Sequence, residues 1–120
     1  MVAFLILCAS ITVSDGDTLR CNNQLLHLLG SGVIDVHGID APELLTGKCE
    51  KERELARLAR DRLEELLDGE NVRIIAEGYD RDGRPLVNLY VNRREIGRQL
   101  LNEGFAMEWR KGGGSIDWCR

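Results

Sequence analysis

The sequence lacks several features that would assign it to a particular protein class. Its 120 residues include only two Trp, two Tyr and two Phe, too few rings for a long base-stacking platform. No apolar run reaches the roughly 18 residues that a membrane-spanning helix needs. Acidic residues outnumber basic ones by 20 to 16, and the formal net charge is −4, which is not the basic excess of a protein that binds nucleic acid by charge alone. The length fits a single globular domain, and this charge does not exclude a protein that reaches phosphates through a bound cation.

The four cysteines do not form a metal-binding pattern. Cys8, Cys21, Cys49 and Cys119 are spread from end to end, and no two of them make a C-x-x-C pair, so no zinc knuckle or thioredoxin-type motif is predicted. Two disulfides, as in an exported domain, and buried free thiols are both compatible with this spacing. Residues 1–8 are apolar but lack the basic residues and the A-x-A site of a signal peptide, so we predict a first strand there.

Hydrophobic periodicity predicts strands, a long helix, further strands and a short helix. The predicted strands cover residues 2–13, 19–29, 33–39, 72–76 and 86–91, with turns at 15–16, 22–23, 30–32, 80–84 and 92–93. In the third strand, alternation is expected to put Asp35 and His37 on one face. Residues 50–67 have apolar side chains at helical spacing, and a short helix is predicted from Ile96 to Gly104. The expected fold is α+β and mainly β, a small β-barrel with a long helix across one end and one or two further helices.

Three turn segments contain carboxylates at predicted strand ends. They are Asp15-Gly16-Asp17-Thr18, Gly38-Ile39-Asp40-Ala41-Pro42-Glu43 and Asp80-Arg81-Asp82-Gly83-Arg84. Taken alone, each has the composition of an ordinary solvated turn. If the first two meet, Asp17 and Asp40 with a free carbonyl make an all-oxygen site, which suits Ca²⁺ or Mg²⁺ better than a soft metal.

Taken together and in this order, the three segments resemble the staphylococcal nuclease family. The segments that carry the resemblance are Val13-Ser14-Asp15-Gly16-Asp17-Thr18-Leu19, residues 38–43, a helix rich in Glu and Ala, residues 80–86 and Leu101-Asn102-Glu103-Gly104-Phe105-Ala106. The resemblance implies an OB-fold, a five-stranded β-barrel with helices, occupying residues 1–120 with residues 110–120 as a C-terminal tail. It also implies Ca²⁺-dependent cleavage of DNA or RNA phosphodiester bonds. The cysteine count and this resemblance together favour a secreted or periplasmic location.

The resemblance implies roles for five residues of this chain. Asp17 and Asp40 match the family's Ca²⁺-binding carboxylates, and Ala41 matches the residue that binds the metal through its backbone carbonyl. Glu43 matches the residue proposed to activate the attacking water, and Arg84 matches one of two arginines that hold the scissile phosphate. These roles fit an in-line displacement, because the cation and the guanidinium neutralise the phosphate charge while a carboxylate takes the proton.

The family's second phosphate-binding arginine has no counterpart here. Counting back five residues from Asp40 gives Asp35, whereas an alignment that allows extra residues before the turn puts His27 near the arginine's place. Asp82 stands where the family usually has an aromatic residue. An aspartate within about 4 Å of a phosphate adds roughly 1–4 kcal/mol of repulsion. Two interpretations follow: a weak Ca²⁺-dependent nuclease, or an inactive OB-fold module of the same family that binds nucleic acid or a protein partner.

Overall fold

Nine strands and two helices make up the computed structural model, which describes residues 3–120. The strands are β1 (Phe4–Ile6), β2 (Ile11–Asp15), β3 (Thr18–Cys21), β4 (Gln24–Leu28), β5 (His37–Asp40), β6 (Arg73–Tyr79), β7 (Pro85–Val91), β8 (Arg94–Glu95) and β9 (Met107–Arg110). The helices are α1 (Glu50–Leu67) and α2 (Ile96–Asn102). The prediction of a mainly β fold with one long helix is confirmed, and α1 has the predicted bounds. Within residues 3–120, neither helix is long and apolar enough to cross a membrane.

The strands form a large open sheet and a small separate one. The large sheet has the hydrogen-bonded order β1-β6-β7-β4-β3-β2, with β8 paired to β7, so that β1 and β2 are its edges in the described part of the chain. Its one parallel pair is β4 with β7, where His27 lies opposite Leu86. Strand β5 is not part of this sheet and pairs with β9 in a separate two-stranded sheet. The prediction of a closed five-stranded barrel is therefore not confirmed, because the strand pairing gives an open sheet.

The first predicted strand is in fact two strands. Residues 7–10 separate β1 from β2, and within this segment Cys8 forms a disulfide with Cys21 of β3. The Asn22 side chain also accepts hydrogen bonds from two backbone N–H groups of the segment. The chain breaks here because of its contacts with the β3–β4 hairpin. The apolar run itself therefore contains no residue that would predict the break. Residue 2 of the prediction lies outside the described residues.

The predicted strand at residues 33–39 is wrong over its first half. Residues 34–36 form a turn, and only His37–Asp40 is extended, as β5. Asp35 has a φ of 65°, a left-handed conformation that Asp tolerates better than most residues. The alternation of apolar and polar residues that predicted a strand here therefore does not describe which face Asp35 occupies.

Helix α1 packs directly over the turn that carries Asp17. Its buried apolar residues lie on one side of the helix, and two of the three are alanines: Ala56, Ala59 and Leu63. A Cβ atom on Gly16 would lie 2.6 Å from Cβ of Ala59, so glycine is required where the turn passes beneath the helix. Leu58 is one of the apolar residues at helical spacing, yet it is 57% exposed, so the buried side of α1 is narrower than that spacing predicts.

All four cysteines are paired in two disulfides. Cys8 is joined to Cys21 and Cys49 to Cys119, which decides between the two alternatives that the spacing allowed. The second pair spans 70 residues and fastens the C-terminal tail to the residue that caps helix α1. The segment that carries Cys119 follows β9, whose last residue is Arg110.

Candidate active site

Two strand ends bring Asp17 and Asp40 together at one corner of the molecule. Asp17 precedes β3, Asp40 ends β5, and the backbone N–H of Ala41 donates to Oδ2 of Asp17 at 2.9 Å. Asp17 is only 3% exposed. Burial, together with the nearby negative charge of Asp17, raises the pKa of Asp40 to about 6. A pair of little-exposed carboxylates that repel each other favours a bound cation, because a positive charge would relieve the repulsion.

Three neighbours hold the Asp17 side chain. Its Oδ1 accepts a hydrogen bond from the hydroxyl of Thr18 at 3.0 Å, in addition to the bond from Ala41 to Oδ2. Nε2 of His27 lies 3.7 Å from the same Oδ2. The position of His27 is fixed by the β3–β4 ladder, where it lies opposite Thr18. Its Nδ1 atom is buried without a hydrogen-bond partner in the described part of the chain.

Glu43 lies on the loop between β5 and α1, and a buried side chain of α1 binds its backbone N–H. Its N–H donates to Oε2 of Glu52 at 3.0 Å, and the N–H of Lys48 donates to Oε1 of the same residue at 3.0 Å. Glu52 is 7% exposed, and the Glu43 carboxylate accepts a hydrogen bond from the hydroxyl of Thr46. The sequence does not reveal the role of Glu52, because one carboxylate among many on α1 carries no signal that it points inward.

Arg84 is already bound by carboxylates of its own loop. Its Nε donates to Oδ2 of Asp80 at 2.8 Å, and its Nη2 donates to Oδ2 of Asp82 at 3.3 Å. Oδ1 of Asp80 accepts from the backbone N–H groups of both Asp82 and Arg84. Burial disfavours the charge on Asp80, but the hydrogen bonds from Arg84 outweigh it and hold the pKa of Asp80 below its ordinary value. The loop therefore presents a guanidinium with a fixed orientation.

A cleft of about 650 Å³ connects Arg84 with His27. Its charged lining residues carry both signs and are Asp35, Asp80, Arg81, Asp82, Arg84 and Lys111. Of the five site residues predicted from the sequence, Arg84 alone lines this cleft. His27 lines the cleft and also contacts Asp17, so it links the guanidinium side of the site to the carboxylate side.

The structure brings four of the five predicted residues to the same corner. Ala41 donates a hydrogen bond to Asp17, and the charges of Asp17 and Glu43 both act on Asp40. Across residues 3–120, no three side chains of the His, Cys, Asp and Glu types converge as a metal cluster. The corner thus offers two carboxylates, and further ligands for a cation would have to be carbonyl, water or substrate oxygens.

Comparisons with known proteins identify the family of this chain. The family profile described as "Staphylococcal nuclease homologue" matches residues 33–114, a range that contains Asp40, Ala41, Glu43 and Arg84 but begins after Asp17. A Haemophilus influenzae protein named "Uncharacterized endonuclease" is 29% identical over 106 residues, which cover 87% of this chain and 53% of that protein. The chain therefore spans about half the length of this curated relative. Because the family profile matches more than half of its residues, the chain belongs to the staphylococcal nuclease homologue family.

Proposed function

We propose that this protein is a Ca²⁺-dependent endonuclease that hydrolyses phosphodiester bonds of DNA or RNA, with a low rate. The observation that carries the proposal is the pairing of Asp17 and Asp40 at a corner that also holds Glu43. Membership of a nuclease homologue family and the name of the Haemophilus influenzae relative support it.

Asp17 and Asp40, with the carbonyl of Ala41, are proposed to bind the cation. All three are hard oxygen donors, which matches the preference of Ca²⁺. Burial and then the charge of Asp17 raise the pKa of Asp40, and a divalent ion would relieve the repulsion between the two carboxylates. When bound, such an ion neutralises charge on the phosphate and makes a water molecule more acidic. The two carboxylates keep the cation at the corner where β5 ends.

Glu43 and Arg84 are proposed to act on the water and the phosphate. The charge of Glu43 acts on Asp40, and Glu43 is not assigned to the cation, so it is suited to accept the proton of the attacking water. Arg84 has its Nε and Nη2 bound to Asp80 and Asp82, whereas its Nη1 has no hydrogen-bond partner among residues 3–120. We assign Nη1 to a phosphate oxygen.

The low rate follows from the charges around the phosphate position. Among residues 3–120, the arginines that line the cleft are Arg81 and Arg84 of one loop, and none lies on β4, the strand of His27. Losing one oriented donor to a phosphate or oxyanion costs on the order of 10²–10³ in rate. Asp35 and Asp82 add negative charge to the cleft, which disfavours a phosphate further.

Two further proposals concern the fold and the compartment. We propose that the sheet is an opened OB-type barrel, since its strands and α1 follow each other in the order that the family resemblance implies. We also propose a secreted or periplasmic location, since a chain with two disulfides keeps them in an oxidising environment.

A second candidate function is binding without catalysis. The observation that favours it is the double pairing of Arg84 with Asp80 and Asp82, which satisfies much of the guanidinium without a phosphate. In this case the cleft would serve as a binding surface for nucleic acid or a protein partner.

Cleavage of single-stranded DNA in Ca²⁺ and in EDTA tests the proposal. The variants are Glu43→Gln and, as a matched control, Glu54→Gln, which changes an exposed residue of α1. We expect Ca²⁺-dependent cleavage that falls about 100-fold or more in Glu43→Gln, as for loss of a general base, and is unchanged in Glu54→Gln. No cleavage by a wild-type protein that is stabilised by Ca²⁺ in thermal unfolding would support the binding module instead.

A further inference from the structure

We propose that Trp118 is a positioning residue for Asp40, and that the Cys49–Cys119 disulfide holds Trp118 in place. The inference rests on the proposed function, because it concerns the same cation-binding corner. It adds a residue from the far end of the chain to that corner.

The indole of Trp118 reaches Asp40 directly. Its Nε1–H donates to Oδ2 of Asp40, with 3.5 Å between the two atoms, across 78 residues of sequence. Trp118 is itself half-buried, so the ring covers part of the carboxylate. Because the bond occupies Oδ2, it fixes the rotation of the carboxylate and leaves Oδ1 to face a cation. Outer partners of this kind commonly set the orientation of metal-binding carboxylates.

The disulfide is the strongest attachment of the tail that carries Trp118. Between β9 and Trp118 the chain passes through three consecutive glycines, of which Gly112 and Gly114 have positive φ, so this segment has little preference for one path. Near the end, the tail is fastened noncovalently by Lys51, which donates to the carbonyl of Arg120. Exposed polar contacts of that sort contribute little. Cys119, next to Trp118, supplies the covalent link.

The other half of the disulfide lies beside the Glu43 loop. Cys49 caps helix α1, and its Sγ accepts a hydrogen bond from the N–H of Glu52 at 3.4 Å. Glu52 in turn accepts from the N–H of Glu43. The disulfide therefore connects two chains of contacts in the proposed site. From Cys119 the chain leads through Trp118 to Asp40, and from Cys49 it leads through Glu52 to Glu43.

A disulfide that closes 70 residues also stabilises the fold in a general way, so the test needs a readout beyond stability. Trp118→Phe keeps an aromatic ring and the disulfide but removes the N–H donor together with the five-membered ring of the indole. Cys49→Ser with Cys119→Ser removes the link while serine continues to cap α1. The matched control is Cys8→Ser with Cys21→Ser, because that disulfide joins β3 at the end away from Asp17.

The first readout is the Kd for Ca²⁺, followed by the NMR shifts of the Asp40 and Ala41 amides. We expect the Kd to rise about 10-fold in Trp118→Phe and in the Cys49/Cys119 double variant, the size seen for outer partners of metal ligands. The Cys8/Cys21 variant is expected to bind Ca²⁺ within about twofold of wild type, as for a change remote from the ligands. A wild-type Kd in Trp118→Phe would overturn the inference.

The second readout needs neither metal nor catalysis. In the metal-free protein, the indole N–H resonance of Trp118 should shift and exchange faster with solvent in Asp40→Ala and in the Cys49/Cys119 variant. If it responds to neither, the inference is wrong whether or not the protein cleaves DNA. If it responds as expected but the wild type binds no Ca²⁺, the proposed nuclease function fails while the positioning contact stands.

Discussion

Asp80 binds Arg84 at two points, its guanidinium and its backbone. Oδ2 accepts from Nε at 2.8 Å and Oδ1 accepts from the backbone N–H at 2.9 Å. The Asp80 side chain is 18% exposed, whereas that of Asp82, which contacts Nη2, is 77% exposed. Asp80 therefore shapes the loop, and Asp82 contributes mainly negative charge, since exposed pairs add little stability.

The two carboxylates are expected to have opposite effects on cleavage. Asp82→Asn removes a charge from the phosphate side of the cleft and should lower the KM for DNA about 3- to 5-fold, or roughly 0.6–1 kcal/mol. Asp80→Asn weakens the contact that orients Arg84 and should lower kcat/KM about 10-fold. Steady-state kinetics of both variants measure this, with Asp61→Asn, an equal charge change on exposed α1, as the control. Equal effects of Asp80→Asn and Asp82→Asn would contradict the division of roles.

The choice between His27 and Asp35 as the position of the missing arginine has a direct test. His27 contacts Asp17, whereas Asp35 lies in a left-handed turn. His27→Arg is therefore expected to raise the cleavage rate about 10²-fold, the contribution of an oriented donor, and more than Asp35→Arg does. Initial rates at saturating Ca²⁺ compare the two. A larger gain from Asp35→Arg would favour the ungapped alignment.

The raised pKa of Asp40 predicts how stability depends on pH. Burial and the charge of Asp17 raise this pKa to about 6 in the folded protein, so between about pH 4 and 6 the folded state binds more protons than the unfolded state. The free energy of unfolding of the metal-free protein should therefore fall as the pH rises through this window. Asp40→Asn should be more stable than wild type at pH 7 by about 1–2 kcal/mol, after allowance for solvent screening.

Urea unfolding in EDTA at pH 4 and at pH 7 measures that difference. At pH 4 the gain from Asp40→Asn should largely disappear, because the wild-type carboxyl is then protonated in the folded state. An identical gain at both pH values would mean that packing, and not charge, accounts for it.

Glu52 is predicted to control Glu43 through the backbone. Glu52→Gln leaves one acceptor oxygen where two backbone N–H groups now bind, so it should destabilise the protein by about 1–3 kcal/mol. It should also lower kcat more than it raises KM, because the loop that carries the proton acceptor loses its fixed position while Arg84 is untouched. Glu54→Gln on the exposed side of α1 is the control. A change in KM alone would argue against this role.

Local signals in the sequence were sufficient for much of the fold. Helix α1 has the predicted bounds because the apolar periodicity that predicts it is a local property of residues 50–67. The turn at Asn22-Asn23 was predicted correctly, and both residues have positive φ, which Asn accepts readily. Asp17 lies in a turn and Asp40 at a strand end, both positions that local sequence signals indicate.

The failures have a common physical cause. The break between β1 and β2 depends on a disulfide to Cys21. The position of β5 outside the large sheet depends on its pairing with β9. Glu52 and Trp118 were not identified because their partners lie elsewhere in the chain. A periodic pattern reports which residues prefer burial, but it contains no information on which distant segment will cover them.

The parallel pairing of β4 with β7 has a consequence for how small a working fragment of this protein can be. Strand β4 covers one side of β7 and extends the pairing through Leu29, whose N–H donates to Val87 at 2.8 Å. A chain that started at residue 33, where the family profile starts, would leave this side of β7 as a bare apolar edge, which invites aggregation. It would also lack Leu19, Leu26 and Leu28, three fully buried residues of the core. The autonomous folding unit is therefore larger than the segment by which its family is identified.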